Sequence, residues 1–378
     1  VVVDDGSADP GEVARLARRA GARLVRHEQA RGPAAARNSG LSVAATPLVC
    51  FVDSDVVPET GWLAGLRRHF DDPAVAAVAP RVVALDDDAR GGWVSRYEAA
   101  RSSLDMGPVA AAVRPHGRVP YVPGATLLAR HTLLGEGFDE AMTVAEDVDL
   151  VWRLVARGWR VRYEPAALVR HDHRTGATSW LARRAFYGTG AAPLARRHGG
   201  SAAPMVLTSW TAALSGVVLA QRRWSAPAAG LLCGMATART AYRMHGDAAA
   251  WRTAATATGI GIGAVGRQTA AALTRHYWPL TVALAVVSRR ARRALLVAAV
   301  AEGLADHRRA RPALDPVRHL MARRLDDLAY GTGLWWGAAR GRSVRALLPR
   351  WRIRTPAPPD PPAGRHRDVP EPVVRDGR

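Results

Sequence analysis

A chain of 378 residues can hold one large domain and a smaller one, each with its own core. Its formal charge of +20 would suit a nucleic-acid binder, but all 53 basic residues are arginine. A lysine-free chain rich in Ala, Gly and Pro reads as codon bias, so nucleic acid is set aside as a partner.

The two cysteines, Cys50 and Cys233, lie far apart and form no disulfide framework, which makes a reducing compartment the default. The chain opens inside an apolar run, Val1-Val2-Val3, with no initiator methionine and no signal peptide, and the expectation is a fragment lacking at least one N-terminal strand. Residues 1–3 read as a strand. Asp4-Asp5-Gly6-Ser7-Ala8-Asp9-Pro10 then supplies turn and capping residues before a helix carrying Val13, Leu16, Ala17 and Ala20, which Gly21 ends. Residues 22–27 form the next strand, and Arg31-Gly32-Pro33 opens a helix that carries Arg37. The apolar run at 48–52 is a buried strand ending in Asp53 and Asp55, which project the same way from an extended backbone.

This alternation predicts right-handed βαβ crossovers, a mostly parallel sheet flanked by helices, and ligands at the carboxyl ends of its strands. Asp4, Asp5, Arg37, Asp53 and Asp55 all fall at that edge. Paired carboxylates suit Mg²⁺ or Mn²⁺ with positions left open for phosphate oxygens. Asp4 or Asp5 could accept hydrogen bonds from a nucleobase or ribose, and Arg31 and Arg37 could present a donor fork to a diphosphate. Taken singly, each aspartate is equally well explained by capping and turn chemistry. Their convergence argues for a site.

Trp62, Leu66 and Phe70 share one helical face and read as core packing. Residues 74–83 are another strand, and Asp86-Asp87-Asp88 reads as a solvated loop. Trp93, Tyr97 and Arg101, at helical spacing, could line an acceptor cleft. An apolar strand from Val119 meets a turn at Pro123-Gly124-Ala125, and Glu146-Asp147-Val148-Asp149 opens a helix, where acidic residues also suit the macrodipole. Residues 159–163 and 169–173 read as two separate strands, and His171, at the end of the second, becomes a third candidate metal ligand.

These pieces in this order resemble the family 2 glycosyltransferases with the GT-A, nucleotide-diphospho-sugar transferase fold: Val-Asp-Asp-Gly-Ser at 3–7, Arg-Gly-Pro-Ala-Ala-Ala-Arg-Asn at 31–38, Asp-Ser-Asp at 53–55, Pro-Gly-Ala at 123–125, Glu-Asp-Val-Asp-Leu at 146–150 and the His171 strand end. Six ordered pieces over roughly the first half of the chain are far more specific than any one. The long insertion between Arg81 and Pro123, the run at 184–190 and Tyr330-Gly331-Thr332-Gly333-Leu334-Trp335-Trp336 look most like the branch serving the mycofactocin system, which glucosylates a peptide-derived redox cofactor.

The resemblance implies that Asp5, with Asp4 beside it, contacts uracil, Arg37 the nucleotide, and Asp53 the sugar or ribose. Asp55 and His171 would hold the metal. Pro123, Gly124, Ala125 and Glu146 would border the acceptor, and Asp147 would be the general base. It further implies an inverting transfer of a hexose, glucose above all, from a UDP-sugar, through an oxocarbenium-like state. A glycan acceptor in the cell envelope, a nucleotidyltransferase and a basic adaptor without catalysis are the alternatives. Processive relatives carry Gln-x-x-Arg-Trp after the base, where this chain reads Arg183-Arg184-Ala185-Phe186-Tyr187, which puts processivity in question.

In the second half, residues 201–220 carry no charge and lie between Arg196-Arg197 and Arg222-Arg223, long enough for a weak membrane span or an interfacial element. Leu314, Val317, Met321, Leu325 and Leu328 form an apolar stripe. The expected organisation is a catalytic domain at 1–198, a helical, membrane-associated region at 199–354 on the cytoplasmic face of the cell membrane, and a disordered Pro-rich tail at 355–378.

Overall fold

The computed structural model describes residues 1–85, 91–244 and 249–352. The aspartate triplet at 86–88 and the Pro-rich segment from 355 lie outside them.

The first four elements are β1 (Val2–Asp5), α1 (Pro10–Arg19), β2 (Leu24–His27) and α2 (Pro33–Ser42). Asp9 caps α1 by accepting from the Glu12 N–H, with Pro10 in the first turn, where its missing N–H costs nothing. β1 and β2 pair in parallel with Asp5 opposite His27, as a crossover through α1 requires. They are hydrogen-bonded to each other and not to the main sheet.

The main sheet is built from β3 (Leu48–Val52), β4 (Val56–Pro58), β5 (Val75–Ala84), β6 (Ala111–Ala112), β7 (Thr126–Arg130) and β8 (Arg160–His171), with α3 (Trp62–Arg67), α4 (Trp93–Arg101) and α5 (Glu146–Ala156) between them. Its order is β3-β7-β5-β8-β4, with β6 also on β8. This is a mixed sheet, not the mostly parallel one expected from the sequence. Only β5 and β8 run in parallel; β3–β7, β5–β7, β4–β8 and β6–β8 are antiparallel. The excursion after β5 runs through α4 and returns by the turn at 123–125, so β7 enters against its neighbours instead of crossing over.

A second correction concerns residues 159–173, read as two strands. They form one strand, β8, whose register against β5 slips between Pro80 and Arg81 and then resumes as far as His171. The slip absorbs the Glu164-Pro165-Ala166 segment that looked like a break.

Both sheet faces are covered. Phe51, Leu127, Phe138, Leu150, Val151 and Leu154 form the larger core under α5. Leu66 and Phe70, read as packing residues, meet Val75, Val78 and Leu128 on the other face. Full burial of such side chains contributes about 1.5–3 kcal/mol each, enough to fix which strand ends meet.

The second half comprises α6 (Ala177–Thr189), α7 (Ala191–His198), β9 (Val206–Leu207), α8 (Ser209–Ala220), α9 (Ser225–Tyr242), α10 (Ala250–Ala271), α11 (Trp278–Val287), α12 (Arg289–Ala310), α13 (Pro316–Arg340) and β10 (Arg350–Trp351), which pairs with β9. The uncharged run at 201–220 is not one helix. Thr208 and Thr211 make a reciprocal cap that starts α8 at Ser209, leaving 12 residues. That is about 18 Å of helix against an apolar bilayer core of about 30 Å. Among the described residues, no helix is long and apolar enough to cross a membrane.

α13 packs on α6 at backbone distance. A Cβ added to Gly333 would lie 1.8 Å from the Ala185 carbonyl oxygen, and one on Gly188 would lie 2.2 Å from that of Tyr330. Tyr97 and Arg101 of α4 face the helical half and not a cleft: the fully buried Tyr97 donates to Asp326 Oδ2 of α13 at 3.0 Å, and Arg101 pairs with Asp306 of α12 at 2.7 Å.

Candidate active site

Strand register assembles the site. Val52 stands opposite Thr126 in the β3–β7 ladder, and the Asp53 N–H donates to the Ala125 carbonyl at 2.9 Å, which brings Asp53 beside the Pro123-Gly124-Ala125 turn. At the other edge Val56 pairs with His171, so Asp55 meets the end of β8. One tripeptide, Asp53-Ser54-Asp55, thus bridges two strand ends.

Arg37 of α2 is the hub. Its Nη1 donates to Glu146 Oε1 at 2.7 Å and its Nη2 to both oxygens of Asp53 at 2.9 and 3.1 Å. Arg37 and Glu146 are nearly inaccessible, with side chains 11% and 9% exposed. Arg37 was expected to reach the nucleotide and Glu146 the acceptor; here each is engaged by the other, and they position Asp53 and the first turn of α5. Gly124 fits where no side chain could. A Cβ there would lie 2.9 Å from Asp147 Cβ and 3.2 Å from Arg37 Nη1.

Asp147 is held by main-chain donors: the Gly124 N–H reaches Oδ2 at 2.6 Å and the Val148 N–H reaches Oδ1 at 2.7 Å. Ala145, just before the helix, has φ of 63°, a left-handed conformation uncommon for a residue with a Cβ, and it turns Glu146 and Asp147 into the site. Burial and the neighbouring Glu146 carboxylate push Asp147 up to about 6, against the pull of the backbone donors and Arg37. A carboxylate with that value is a competent base near neutral pH. Asp149, two residues on, faces away and is fully buried, tying α5 to α7 through Arg153, Arg197 and His198.

Asp55 Oδ2 lies 3.3 Å from His171 Nε2, and that hydrogen bond holds the carboxyl below its ordinary value. Asp53, turned into Arg37, is not part of this pair. The donor set fits a hard or borderline divalent ion that keeps most of its positions for phosphate oxygens or water. Among the described residues, no three His, Cys, Asp or Glu side chains form a self-sufficient cage.

Asp4 and Asp5 sit at the end of β1 and bond within the fold. Asp4 is buried, accepts from the Ser7 N–H at 2.9 Å and pairs with Arg26. Asp5 bonds His27 Nδ1 at 2.7 Å and accepts from the Arg31 and Gly32 N–H groups, both at 2.8 Å, so it closes the loop leading to α2.

Residues that sequence reasoning did not assign also reach the site. Arg183 of α6 lies close enough to Asp55 to lower its pKa, and its guanidinium sits 5.8 Å from the ring centroids of both Phe186 and Tyr187. An arginine followed three and four positions later by aromatics was the available signal. The segment before β7 supplies Tyr121, and both it and Tyr187 lie within electrostatic reach of Asp147.

Residues 1–134 match the sequence profile of "Glycosyl transferase family 2". The chain is 44% identical over 363 residues to the pre-mycofactocin glycosyltransferase of Mycobacterium tuberculosis, covering 93% of this chain and 77% of that protein. It is 30% identical over 205 residues to the succinoglycan biosynthesis protein ExoU of Rhizobium meliloti, covering 47% and 55%. Among solved structures, a mannosyltransferase from Pyrobaculum calidifontis in complex with GDP-Man and Mn²⁺ aligns with a TM-score of 0.40 and 21% identity over 69% of this chain and 70% of that one, too loose a match to carry an inference about ligands. Strand ends, glycine-limited turn and an identity running through both halves agree: the chain belongs to the family 2 glycosyltransferases, is an enzyme of that class, and is most like the mycofactocin branch.

Proposed function

We propose that the enzyme moves a hexose, glucose by its resemblance, from a UDP-sugar to a hydroxyl of the peptide-derived cofactor precursor pre-mycofactocin, inverting the anomeric centre. The observation that carries this reading is the 44% identity to a pre-mycofactocin glycosyltransferase over 93% of the chain.

Asp147 takes the proton of the acceptor hydroxyl as that oxygen attacks the anomeric carbon opposite the leaving diphosphate. The Gly124 and Val148 N–H groups fix the carboxylate and leave each oxygen a second lone pair for the acceptor. Arg37 occupies Glu146 Oε1, which keeps that carboxyl from competing with Asp147 for the acceptor. Asp55 and His171 are the residues that would hold Mg²⁺ or Mn²⁺, and such an ion supplies charge neutralisation for the departing diphosphate. Arg183 adds a fixed cation on the same side.

The test is UDP release from UDP-glucose with pre-mycofactocin, followed by mass spectrometry of the product. A mass increase of one or more hexoses is expected, lost in Asp147→Asn with UDP-glucose binding kept. Turnover retained in Asp147→Asn removes the base, and hexose appearing only on a lipid or envelope glycan removes the acceptor.

The helical second half supports a site of action on the cytoplasmic face of the cell membrane. Its polarity is inverted: Asp306, His319, Asp326 and Asp327 are buried, whereas Val286, Val287, Leu296 and Ile260 are 65–82% exposed. The stripe at Val317 and Met321 also faces outward, at 65% and 61%. Arg289, Arg290, Arg292 and Arg293 follow directly on α11. Apolar surface bordered by arginine matches an anionic lipid surface, with the apolar side chains in the acyl boundary and guanidinium groups on the phosphates. Co-sedimentation with phosphatidylglycerol vesicles, and its loss in Val286→Glu/Val287→Glu, is the expected result; equal recovery in the supernatant with and without vesicles removes the membrane.

A further inference from the structure

Two side chains remote in sequence, Arg275 and Tyr330, stack on each other within electrostatic reach of Tyr121, which also feels Asp147, and the proposed transfer leaves all three without a role. Tyr121 comes from the segment before β7, Arg275 from the turn after α10, and Tyr330 from α13. α6 is the spacer that brings them close. On one face, a Cβ on Gly190 would lie 3.0 Å from Ala145 Cβ, immediately before the Glu146-Asp147 pair. On the other, the Gly188 contact with the Tyr330 carbonyl admits no side chain at all. α6 and the Gly190 that follows it therefore link the helix bearing Tyr330 to the turn that carries Glu146 and Asp147.

Arg275 occupies the five-residue π segment Ala272–His276, a local widening that recurs at functional sites. Its guanidinium carbon stands 3.9 Å from the Tyr330 ring centroid, and its Nη1 is 3.5 Å from the buried Asp327. A cation stacked so closely and anchored from behind fixes the plane of the ring. The Gly331 backbone packs on the Arg275 carbonyl, where a Cβ would come within 2.1 Å, so the pair cannot drift apart.

The hydroxyl of Tyr121 lies within the electrostatic reach of Tyr330, Arg275 and Asp147 together. Its one hydrogen bond, to the Ser103 carbonyl, is 3.5 Å long, and the Tyr330 hydroxyl makes none among the described residues. Half-buried phenols with apolar faces, one hydroxyl held only by a long bond, form a surface for a flat ring bearing polar groups at its edge.

We propose that Tyr121 and Tyr330, with Arg275 stacked on the latter, form an acceptor subsite that receives the flat ring next to the hydroxyl being glycosylated. The ring is an aromatic aglycone or a pyranose, which share an apolar face. The subsite deepens the proposed function and rests on it for the position of Asp147 as base. It also gives the Tyr330-Gly331-Thr332-Gly333 run a purpose: the tyrosine meets the acceptor, and the glycines let its helix come near enough.

The full chain would be titrated by saturation-transfer NMR with phenyl β-D-glucoside and with methyl β-D-glucoside, alongside UDP-glucose transfer kinetics with pre-mycofactocin. Wild type binds the phenyl glucoside, Tyr330→Ala weakens that binding at least tenfold, and Tyr330→Phe keeps it within about threefold. Binding of the phenyl compound alone identifies an aromatic aglycone, and binding of both identifies a sugar ring. In kinetics, Tyr330→Ala raises the KM for pre-mycofactocin at least tenfold more than that for UDP-glucose. Wild type that binds neither glucoside, or a folded Tyr330→Ala that binds as wild type does, overturns the subsite. A wild-type enzyme inert toward UDP-glucose overturns the proposed reaction instead, and the NMR titration still decides the subsite.

Discussion

Arg37→Gln tests whether the charge arrangement around Asp147 sets the chemistry. Arg37 is the cation between Asp53 and Glu146, and removing it leaves a Glu146 side chain only 9% exposed without its partner. Uncovering one member of a buried pair costs about 3–5 kcal/mol, so the variant melts earlier and its activity is measured well below that point. The second effect is electrostatic. The Gly124 contacts place Arg37 Nη1 no farther than about 6 Å from Asp147 Cβ, a separation worth ~3 kcal/mol at an effective dielectric of 20, or about two pH units. Solvent reaching the half-buried Asp147 reduces that to about one unit.

The sign is set by the base, which works only when deprotonated. Wild-type kcat/KM for nucleotide release is expected to rise with pH through a limb near 6, and losing the cation should move that limb upward by about one to two units. The same group opposes folding as pH rises from its unfolded value to about 6, because the native state binds its proton more tightly. A limb that stays in place in a cooperatively folded Arg37→Gln protein refutes the reasoning, as does an unchanged limb in Asp147→Asn.

Gly124→Ala forces Asp147 and Arg37 apart; kcat should fall about a hundredfold, with a stability loss of about 1–3 kcal/mol, and steady-state kinetics at wild-type level would show that the turn yields. Asp55→Asn removes one of the two side chains that fit a divalent ion, so the Mn²⁺ concentration for half-maximal turnover should rise at least tenfold. Turnover of wild type indifferent to EDTA would end the metal reading. Gly333→Val drives a side chain into the Ala185 carbonyl, a backbone atom with nowhere to go, and thermal melts should report a loss of about 3 kcal/mol or more.

The first half was legible because its signals are local. An apolar run ending in Asp53 and Asp55 marks a strand tip whatever lies around it, and Glu146-Asp147 before an apolar helical face marks a helix start. What the sequence could not carry is which strand ends become neighbours. Nothing local in 126–130 says that β7 runs antiparallel between β3 and β5, yet that register seats Gly124 against Asp147. The resemblance puts Arg37, Asp4 and Asp5 at the nucleotide, and no local signal shows that Arg37 also holds Asp53 and Glu146, 16 and 109 residues away, or that Asp4 and Asp5 also bond to β2 and the loop after it, contacts that only the pairing of β1 with β2 reveals.

In the second half a strong local signal does not report which face packs on the rest of the chain. Val317, Met321, Leu325 and Leu328 repeat at helical spacing, and such a stripe normally faces a core. In α13 it faces out, while Ala322, Asp326, Asp327, Gly331, Gly333 and Gly337 face in. Buried aspartates are tolerable only where cations meet them, and Arg184 of α6, Arg275 and Arg323 do so. Glycines are tolerable only where another backbone occupies the space, as Ala185 and Thr189 do. α6 contributes to both, through Arg184, Ala185 and Thr189, and it also carries Arg183 and Tyr187 near the candidate site. Packing of α13 is therefore specified by charge and close approach, not by apolar area, and this leaves its apolar stripe unpartnered and its Tyr330 held beside the site.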